Sequence, residues 1–314
     1  MALNLVTGGA GFIGSHVVEE LVRRGDKVIV LDNFATGRPE NLAAVRDRVD
    51  LREADIRNLD QISPSFAGVD FVIHLAALPS VPRSIKDPLT TNAVNINGTL
   101  NVLVAARDAK VKRVVFAASS SAYGDSPVLP RVENQEPRPL SPYALTKLAG
   151  EYYCQIFWRI YGLETVALRY FNIFGPRQNP GSPYSGVLSL FIAAYARRET
   201  PVIFGDGEQS RDFTYVQNAV DATLRACTAR EAPGRVINVG VGDQHTLNKA
   251  IGALNKIFGR QVTPRYEAPR AGDVAASLAD VSLARQVLNY QPSVRFEEGL
   301  QRTVDWYRQA CVPS

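Results

Sequence analysis

Residues 3–24 read LNLVTGGAGFIGSHVVEELVRR, and the reading of this stretch decides the fold. Leu3–Thr7 is a short β-prone run, it passes directly into Gly8-x-x-Gly11-x-x-Gly14, and those glycines open the amphipathic segment Phe12–Arg24. A strand, a tight glycine turn and a helix in that order bring a helix N-terminus to a strand end, where backbone amides can cradle an anion such as a pyrophosphate. A ligand-free turn would use the same glycines, so the meaning of the motif depends on what surrounds it. Lys27–Leu31, Val49–Ala54, Val69–His74, Val111–Ala118 and Glu164–Tyr170 are further strand-like runs, most of them apolar on both faces. Helix-period segments separate them: Pro39–Arg48, Leu59–Phe66, Leu89–Ala109 and Ser141–Tyr161. Strands buried on both faces and joined by helical crossovers make a parallel sheet covered on both sides. The expected fold is therefore α/β, a doubly wound parallel sheet.

The character of the chain changes after Gly175, where GPRQNPGSPYSG is rich in turn-forming residues. This places a boundary between residues 1–175, the sheet domain, and residues 176–314, a smaller C-terminal α/β lobe. In that lobe Val187–Arg198, Val216–Thr228 and Phe296–Tyr307 read as helices and Pro201–Phe204 as a strand. The strand-like run Arg235–Val239 leaves room for the chain to return to the sheet. The 314 residues carry 35 Lys+Arg against 31 Asp+Glu, a formal charge of +4 without a basic stripe, so nucleic acid is not an expected partner. Glycines and Glu19–Glu20 break the N-terminal apolar stretch, which excludes a signal peptide, and no run approaches the roughly 18 residues of a membrane span. A cytoplasmic protein with no membrane partner is expected. Cys154, Cys227 and Cys311 are odd in number and widely spaced, which points to neither a disulfide framework nor zinc. His16, His74 and His245 have no metal-ligand spacing, and no metal is expected.

Asp32 ends the second strand 18 residues after Gly14, where a carboxylate accepts both hydrogen bonds of an adenosine ribose diol and repels a 2′-phosphate. That selects NAD over NADP, with Gly8, Gly11, Phe12, Ile13 and Gly14 at the pyrophosphate and Asn33 beside the ribose. Asp55 and Ile56 close the third strand, the first positioned for an adenine amino group and the second for the ring face. Leu75, Ala76 and Ala77 follow the fourth strand and are small enough to let backbone pass close to the nucleotide, although small residues there also simply pack well.

Tyr143 and Lys147 lie four apart in the helix that Ser141 can cap and Pro142 can start, so they share a face. A free tyrosine has a pKa of about 10 and is a poor base at neutral pH; a neighbouring ammonium favours its phenolate. The run Ser119-Ser120-Ser121 follows the fifth strand at its C-terminal end, where open parallel sheets place ligands and where a hydroxyl can share a substrate proton.

Five stretches, TGGAGFIG, SSSAYG, YALTK, RYFNIFGPRQ and GDGEQSRDF, together resemble the extended short-chain dehydrogenase/reductase family, in particular its nucleotide-sugar epimerases. The resemblance runs over nearly the whole chain and implies a Rossmann-type sheet domain. It implies Ser119, Tyr143 and Lys147 as catalytic residues, with Asn95 and Tyr170 as further cofactor contacts. It implies a UDP-sugar substrate, with Asn172, Arg211 and Arg270 at the diphosphate, Asp273 at the uridine ribose and Phe204 at the uracil. Ser80, Val81, Ser120, Ser121, Val187 and Ser277 are implied around the remainder of the substrate. Dehydratases of this family carry Asp-Glu after the catalytic hydroxyl, and decarboxylases usually keep the Glu; here Ser120 and Ser121 stand there. Epimerisation at carbon 4 follows. The serine at position 277, where glucose-restricted relatives have tyrosine, favours UDP-GlcNAc/UDP-GalNAc, with UDP-glucose/UDP-galactose beside them. The competing readings are a UDP-glucuronate 4-epimerase or decarboxylase, and a non-catalytic NAD-binding regulator. The resemblance further implies a homodimer whose four-helix bundle is built from Leu89–Ala109 and Ser141–Tyr161; these segments carry apolar residues such as Leu100, Leu103, Val104 and Phe157, and their sequence leaves open which face is exposed.

Overall fold

The computed structural model describes residues 1–179, 186–269 and 274–310. Seven strands form the central sheet: β1 (Leu3–Thr7), β2 (Lys27–Asp32), β3 (Asp50–Glu53), β4 (Phe71–His74), β5 (Arg113–Ser119), β6 (Glu164–Tyr170) and β7 (Val236–Val239). All pairings are parallel, in the order β7-β6-β5-β4-β1-β2-β3. The doubly wound expectation holds. The order reverses between β1 and β4, which opens a crevice at their C-terminal ends.

Side chains alternate across the sheet as the strand period requires. Val6, Val30, Ile73, Val115 and Val166 face one core, covered by α1 (Phe12–Arg23) and α5 (Val216–Thr228). Leu5, Ile29, Val72, Val114 and Phe116 face the other, covered by α2 (Gly98–Asp108) and α3 (Pro142–Tyr161). Helix α3 begins as expected: Ser141 Oγ accepts from Ala144 N at 3.1 Å, and Pro142 occupies the first turn. It ends at Gly162 in the left-handed region, φ +69°.

Several expected elements differ. Pro39–Arg48 is a 3₁₀ helix, and Leu59–Phe66 is one α turn followed by a 3₁₀ turn. Leu89–Ala109 is helical as expected but not regular: Pro88–Asn92 passes through a π-turn at Ala93–Asn97 before α2 begins. Leu103 and Phe157 lie in the core, and Leu100 and Val104 pack against it, so these four do not form an exposed face. The large apolar side chains that α3 exposes are Leu145, Tyr152, Ile156, Trp158, Ile160 and Tyr161.

Beyond Gly175 the chain does return to the sheet. Strand β7 pairs with β6, and α5 packs on α1, so the boundary at 175 marks where the chain first leaves the sheet and not where its contribution ends. The remainder builds the smaller lobe, where α4 (Val187–Ala196), α6 (Leu247–Phe258) and α7 (Phe296–Ala310) surround short strands. Val202–Phe204 pairs in parallel with Arg265–Glu267, and Ser210–Arg211 pairs antiparallel with His245–Thr246. No described helix is long and apolar enough to cross a membrane.

Candidate active site

A cleft of about 1030 Å³ runs from the crevice between β1 and β4 to the smaller lobe. At one end the glycine loop is fixed by close approach. Gly8 has φ +70°, and a Cβ there would stand 2.7 Å from Ala76 N; a Cβ on Gly14 would stand 2.1 Å from Gly8 O. The loop therefore lies flat under the first turn of α1, whose leading N–H groups have no intrahelical acceptors. Phe12 and Ile13 line the cleft there, as do Leu75, Ala76 and Ala77 on the facing loop. Asp32 ends β2 with its carboxylate buried, accepting from Ala10 N at 2.9 Å and Phe34 N at 2.8 Å, and burial pushes its pKa up. Gly37 passes so close that a Cβ would lie 2.9 Å from both carboxylate oxygens. Asn33 and Ile56 line the cleft beside it.

The next part is built by β5 and α3. Lys147 is buried, with Nζ donating to Ala117 O at 2.8 Å and lying 5.0 Å from the Phe116 ring. Burial pulls its pKa down to about 8, against the pull of Glu151 one helical turn on. Tyr143, one turn before Lys147, opens on the cleft. Burial raises its pKa while a hydrogen bond with Ser119 lowers it. Ser119 Oγ also accepts from Ser121 N at 3.2 Å and from Ser121 Oγ at 2.9 Å, so the three serines form one compact turn that lines the cleft. Asp32 is the one carboxylate residue among the described residues lining the cleft, and it stands three strands from β5, about 14 Å at the usual strand spacing.

At the lobe end, Asn172, Val187, Phe204, Arg211 and Ser277 line the cleft. Asn172 adopts φ +35° and its carbonyl accepts from Thr214 N; Arg211 caps Ser210 O at 2.8 Å. Ser277 N donates to Ser210 O at 3.1 Å, which sets Ser277 beside the strand that carries Arg211. Ser80 caps the short helix Val81–Lys86, and both Ser80 and Val81 reach the cleft.

Two residues expected at the nucleotide do not line the cleft. Asn95 is buried behind it, its amide spent on Leu78 N, Leu78 O and Thr146 Oγ1, because the π-turn directs it at the loop and α3. Asp55 is held by Arg57 and by Asn33 Nδ2, which keep its pKa low, at about 2. Tyr170 lines the cleft, but its hydroxyl bonds Thr223 Oγ1 at 2.6 Å in the core behind it. Arg270 and Asp273 fall outside the described residues, as does Cys311. Cys154 and Cys227 are buried free thiols.

The sequence matches, over residues 4–240, the family described as the NAD dependent epimerase/dehydratase family. The chain belongs to that family. As a member, the protein is an NAD-dependent enzyme. A curated relative from Methanocaldococcus jannaschii, described as a putative UDP-glucose 4-epimerase, is 38% identical over 97% of this chain and 98% of its own. Among solved structures, the UDP-N-acetylglucosamine 4-epimerase of Methanobrevibacter ruminantium in complex with UDP-N-acetylmuramic acid matches with a TM-score of 0.94 and 39% identity. The match covers 98% of this chain and 99% of that one. The UDP-glucose 4-epimerase of Thermotoga maritima with UDP-glucose has the same TM-score, identity and coverage.

This family member's own residues fit NAD. The loop at Gly8 and Gly14 has room for no Cβ, the first turn of α1 offers free amides to a pyrophosphate, and Asp32 stands where a ribose diol needs an acceptor. Gln178, Asn179 and Gln209 also line the cleft and were not singled out from the sequence. Gln178 closes RYFNIFGPRQ, where only Tyr170 and Asn172 carry an expectation, and Asn179 follows it in the turn-rich stretch; Gln209 sits within GDGEQSRDF, where only Arg211 carries one.

Proposed function

We propose that the protein is a UDP-hexose 4-epimerase that interconverts UDP-GlcNAc and UDP-GalNAc and also accepts UDP-glucose and UDP-galactose. The observation that carries this reading is the pairing of Tyr143, Lys147 and Ser119 in one cleft with no carboxylate beside them among the described residues. A 4-keto sugar formed there meets no acid/base pair for eliminating water, so its course is reduction back to an alcohol.

When bound, NAD supplies the reversible two-electron acceptor for carbon 4, held by the glycine loop and Asp32. Tyr143, as phenolate, takes the proton of the 4-hydroxyl, and Ser119, hydrogen-bonded to it, shares that proton. Lys147, still mostly protonated at pH 7, favours the phenolate from one helical turn away. Arg211, Asn172 and Phe204 hold the UDP group, joined by Arg270 and Asp273, while the keto sugar turns to present its other face. A guanidinium fork matches phosphate oxygens, which suits Arg211 to that task. The small side chain of Ser277 leaves volume for a 2-acetamido group. Asn172 stands where UDP-glucuronate epimerases usually carry threonine, which weighs against that substrate.

The exposed residues Leu145, Tyr152, Ile156 and Ile160 recur at helical spacing along α3, and Ile85 and Leu89 are exposed on the adjoining short helices. They support a homodimer through a four-helix bundle; light scattering that gives the monomer mass at all concentrations refutes it. A cytoplasmic location remains part of the reading.

The central test is Tyr143→Phe assayed with UDP-sugars without added NAD. Binding of NAD and UDP is retained and epimerisation falls by about 10²–10⁴-fold, the usual range for a lost general base. Near-normal turnover by the variant, or no product from wild type with any UDP-hexose, overturns the proposal.

A further inference from the structure

The loop Leu75–Ser80 floors the cleft under the glycine turn, and buried polar groups hold it from behind. Thr7, His74 and Thr99 are each at most 1% exposed. Their hydrogen bonds form a chain whose directions can be worked out. Thr99 Oγ1 lies 2.6 Å from Asn95 O, which can only accept, so the Thr99 proton goes there and a lone pair faces His74 Nε2 at 3.0 Å. Nε2 therefore carries the imidazole proton. Nδ1 is left as an acceptor for the Thr7 hydroxyl at 2.7 Å, and the Thr7 oxygen in turn accepts from Ala76 N at 3.3 Å. Every donor in the chain has an acceptor.

A second proton on the ring would break this order. Nδ1–H and Ala76 N–H would then both point at the Thr7 oxygen, and the Thr7 proton would have no acceptor. Around the imidazole, β1 contributes Thr7, α2 contributes Thr99, β5 contributes the Phe116 ring at 5.6 Å, and α3 contributes the Lys147 ammonium. Burial and that ammonium hold the His74 pKa down, to about 3. The position of Ala76 matters because the backbone there leaves no room for a Cβ on Gly8, and Ala76 lines the cleft.

We propose that His74 is a positioning residue of the cofactor site: as a neutral imidazole protonated on Nε2, it ties Thr7 to Thr99 and so sets where the backbone of Ala76 stands beneath the glycine loop. The inference rests on the NAD reading of that loop. Its first test needs no ligand. In wild-type protein labelled with ¹⁵N-histidine, with signals assigned through His16→Gln and His245→Gln, His74 shows the Nε2–H tautomer and does not titrate between pH 8 and pH 5.

The second test measures NAD affinity by calorimetry. His74→Phe keeps a ring against Phe116 but leaves the Thr7 hydroxyl without its acceptor, and NAD binds at least tenfold more weakly while the KM for the UDP-sugar moves less than twofold. His74→Gln, which can donate and accept at once, recovers most of the loss. A purely structural role would lower the melting temperature of both variants without this split between ligands. An Nδ1–H tautomer, a titration within pH 5–8, or NAD binding by His74→Phe within twofold of wild type overturns the proposal alone. Wild-type protein that binds no NAD overturns it together with the cofactor reading.

Discussion

The ion pair behind Lys147 gives the sharpest quantitative expectation. Glu151 and Arg169 are both almost wholly buried, with side chains 2% and 4% exposed, and they meet through two hydrogen bonds of 2.9 and 2.7 Å. Arg169 also lies 4.5 Å over the Tyr123 ring and bonds Glu133 O at 3.3 Å, so its guanidinium has no route to water. Glu151→Gln leaves that charge buried and uncompensated, at a cost of about 3–5 kcal/mol. For a chain of this length the unfolding entropy scales to about 0.7 kcal/mol per degree, so the melting temperature falls by roughly 4–7 °C. Replacing both residues by methionine removes both charges and restores most of the stability. The same substitution has a second consequence, because Glu151 is the carboxylate that opposes the burial of Lys147. The Lys147 pKa, about 8 in the wild type, falls, and its charged form is lost at lower pH. The alkaline limb of the kcat/KM profile then moves to lower pH. Denaturant titration and a pH–rate profile measure the two effects separately. A stability loss below about 1 kcal/mol, or a Glu151→Gln variant less stable than wild type by no more than the double variant, refutes the energetic argument. An unmoved alkaline limb refutes the electrostatic one.

The other expectations follow from single side chains. Asp32→Ala weakens NAD and relaxes discrimination against NADP, because the carboxylate that would repel a 2′-phosphate is gone; equal discrimination in wild type and variant, measured by titration with both nucleotides, counts against the role of Asp32. Ser277→Tyr loses kcat/KM selectively for the N-acetylated pair, by about 10-fold or more, since overfilling the pocket penalises the larger sugars. Equal losses on both substrate pairs, or a wild type inactive on UDP-GlcNAc, remove the gate.

The parts of the fold that could be read from the sequence are those decided by neighbours in the chain. The apolar β-prone runs of β1, β2, β4 and β5, the cap at Ser141 and the glycine turn at Gly8 are each fixed within a few residues, and the structure has them where the pattern puts them. The π-turn at Ala93–Asn97 is decided by distant groups: Asn95 bonds Leu78 and Thr146, and Gly98 approaches Ile56 so closely that a Cβ would lie 2.6 Å from its terminal methyl. An apolar periodicity over Leu89–Ala109 carries no trace of that constraint, so it shows the helix but not the π-turn inside it. The same holds for the exposed face of α3. Periodicity shows that Phe157 and Ile156 lie on different faces, but only the packing of α3 on β5 and β6 decides that the first is covered and the second bare.

The site divides along the same line. Glycines, Asp32, Tyr143 and Lys147 have roles set by backbone geometry or by spacing along one helix, and the structure brings them to one cleft. Asp55 was placed by its position at the end of the third strand and Asn95 by the resemblance, and in the structure their polar atoms are engaged by Arg57 and by the backbone of Leu78. Asn95 is buried away from the cleft, with both amide hydrogens and its oxygen already bonded to the protein. Likewise His74, read from its sequence as a structural histidine, gains a definite place: its two ring nitrogens are fully used, and what they hold is the backbone of the cofactor loop. In this cleft the glycines, Asp32, Tyr143 and Lys147 that line it are legible from local pattern, whereas the groups that hold the lining in position are legible only once the hydrogen bonds can be followed from strand to strand.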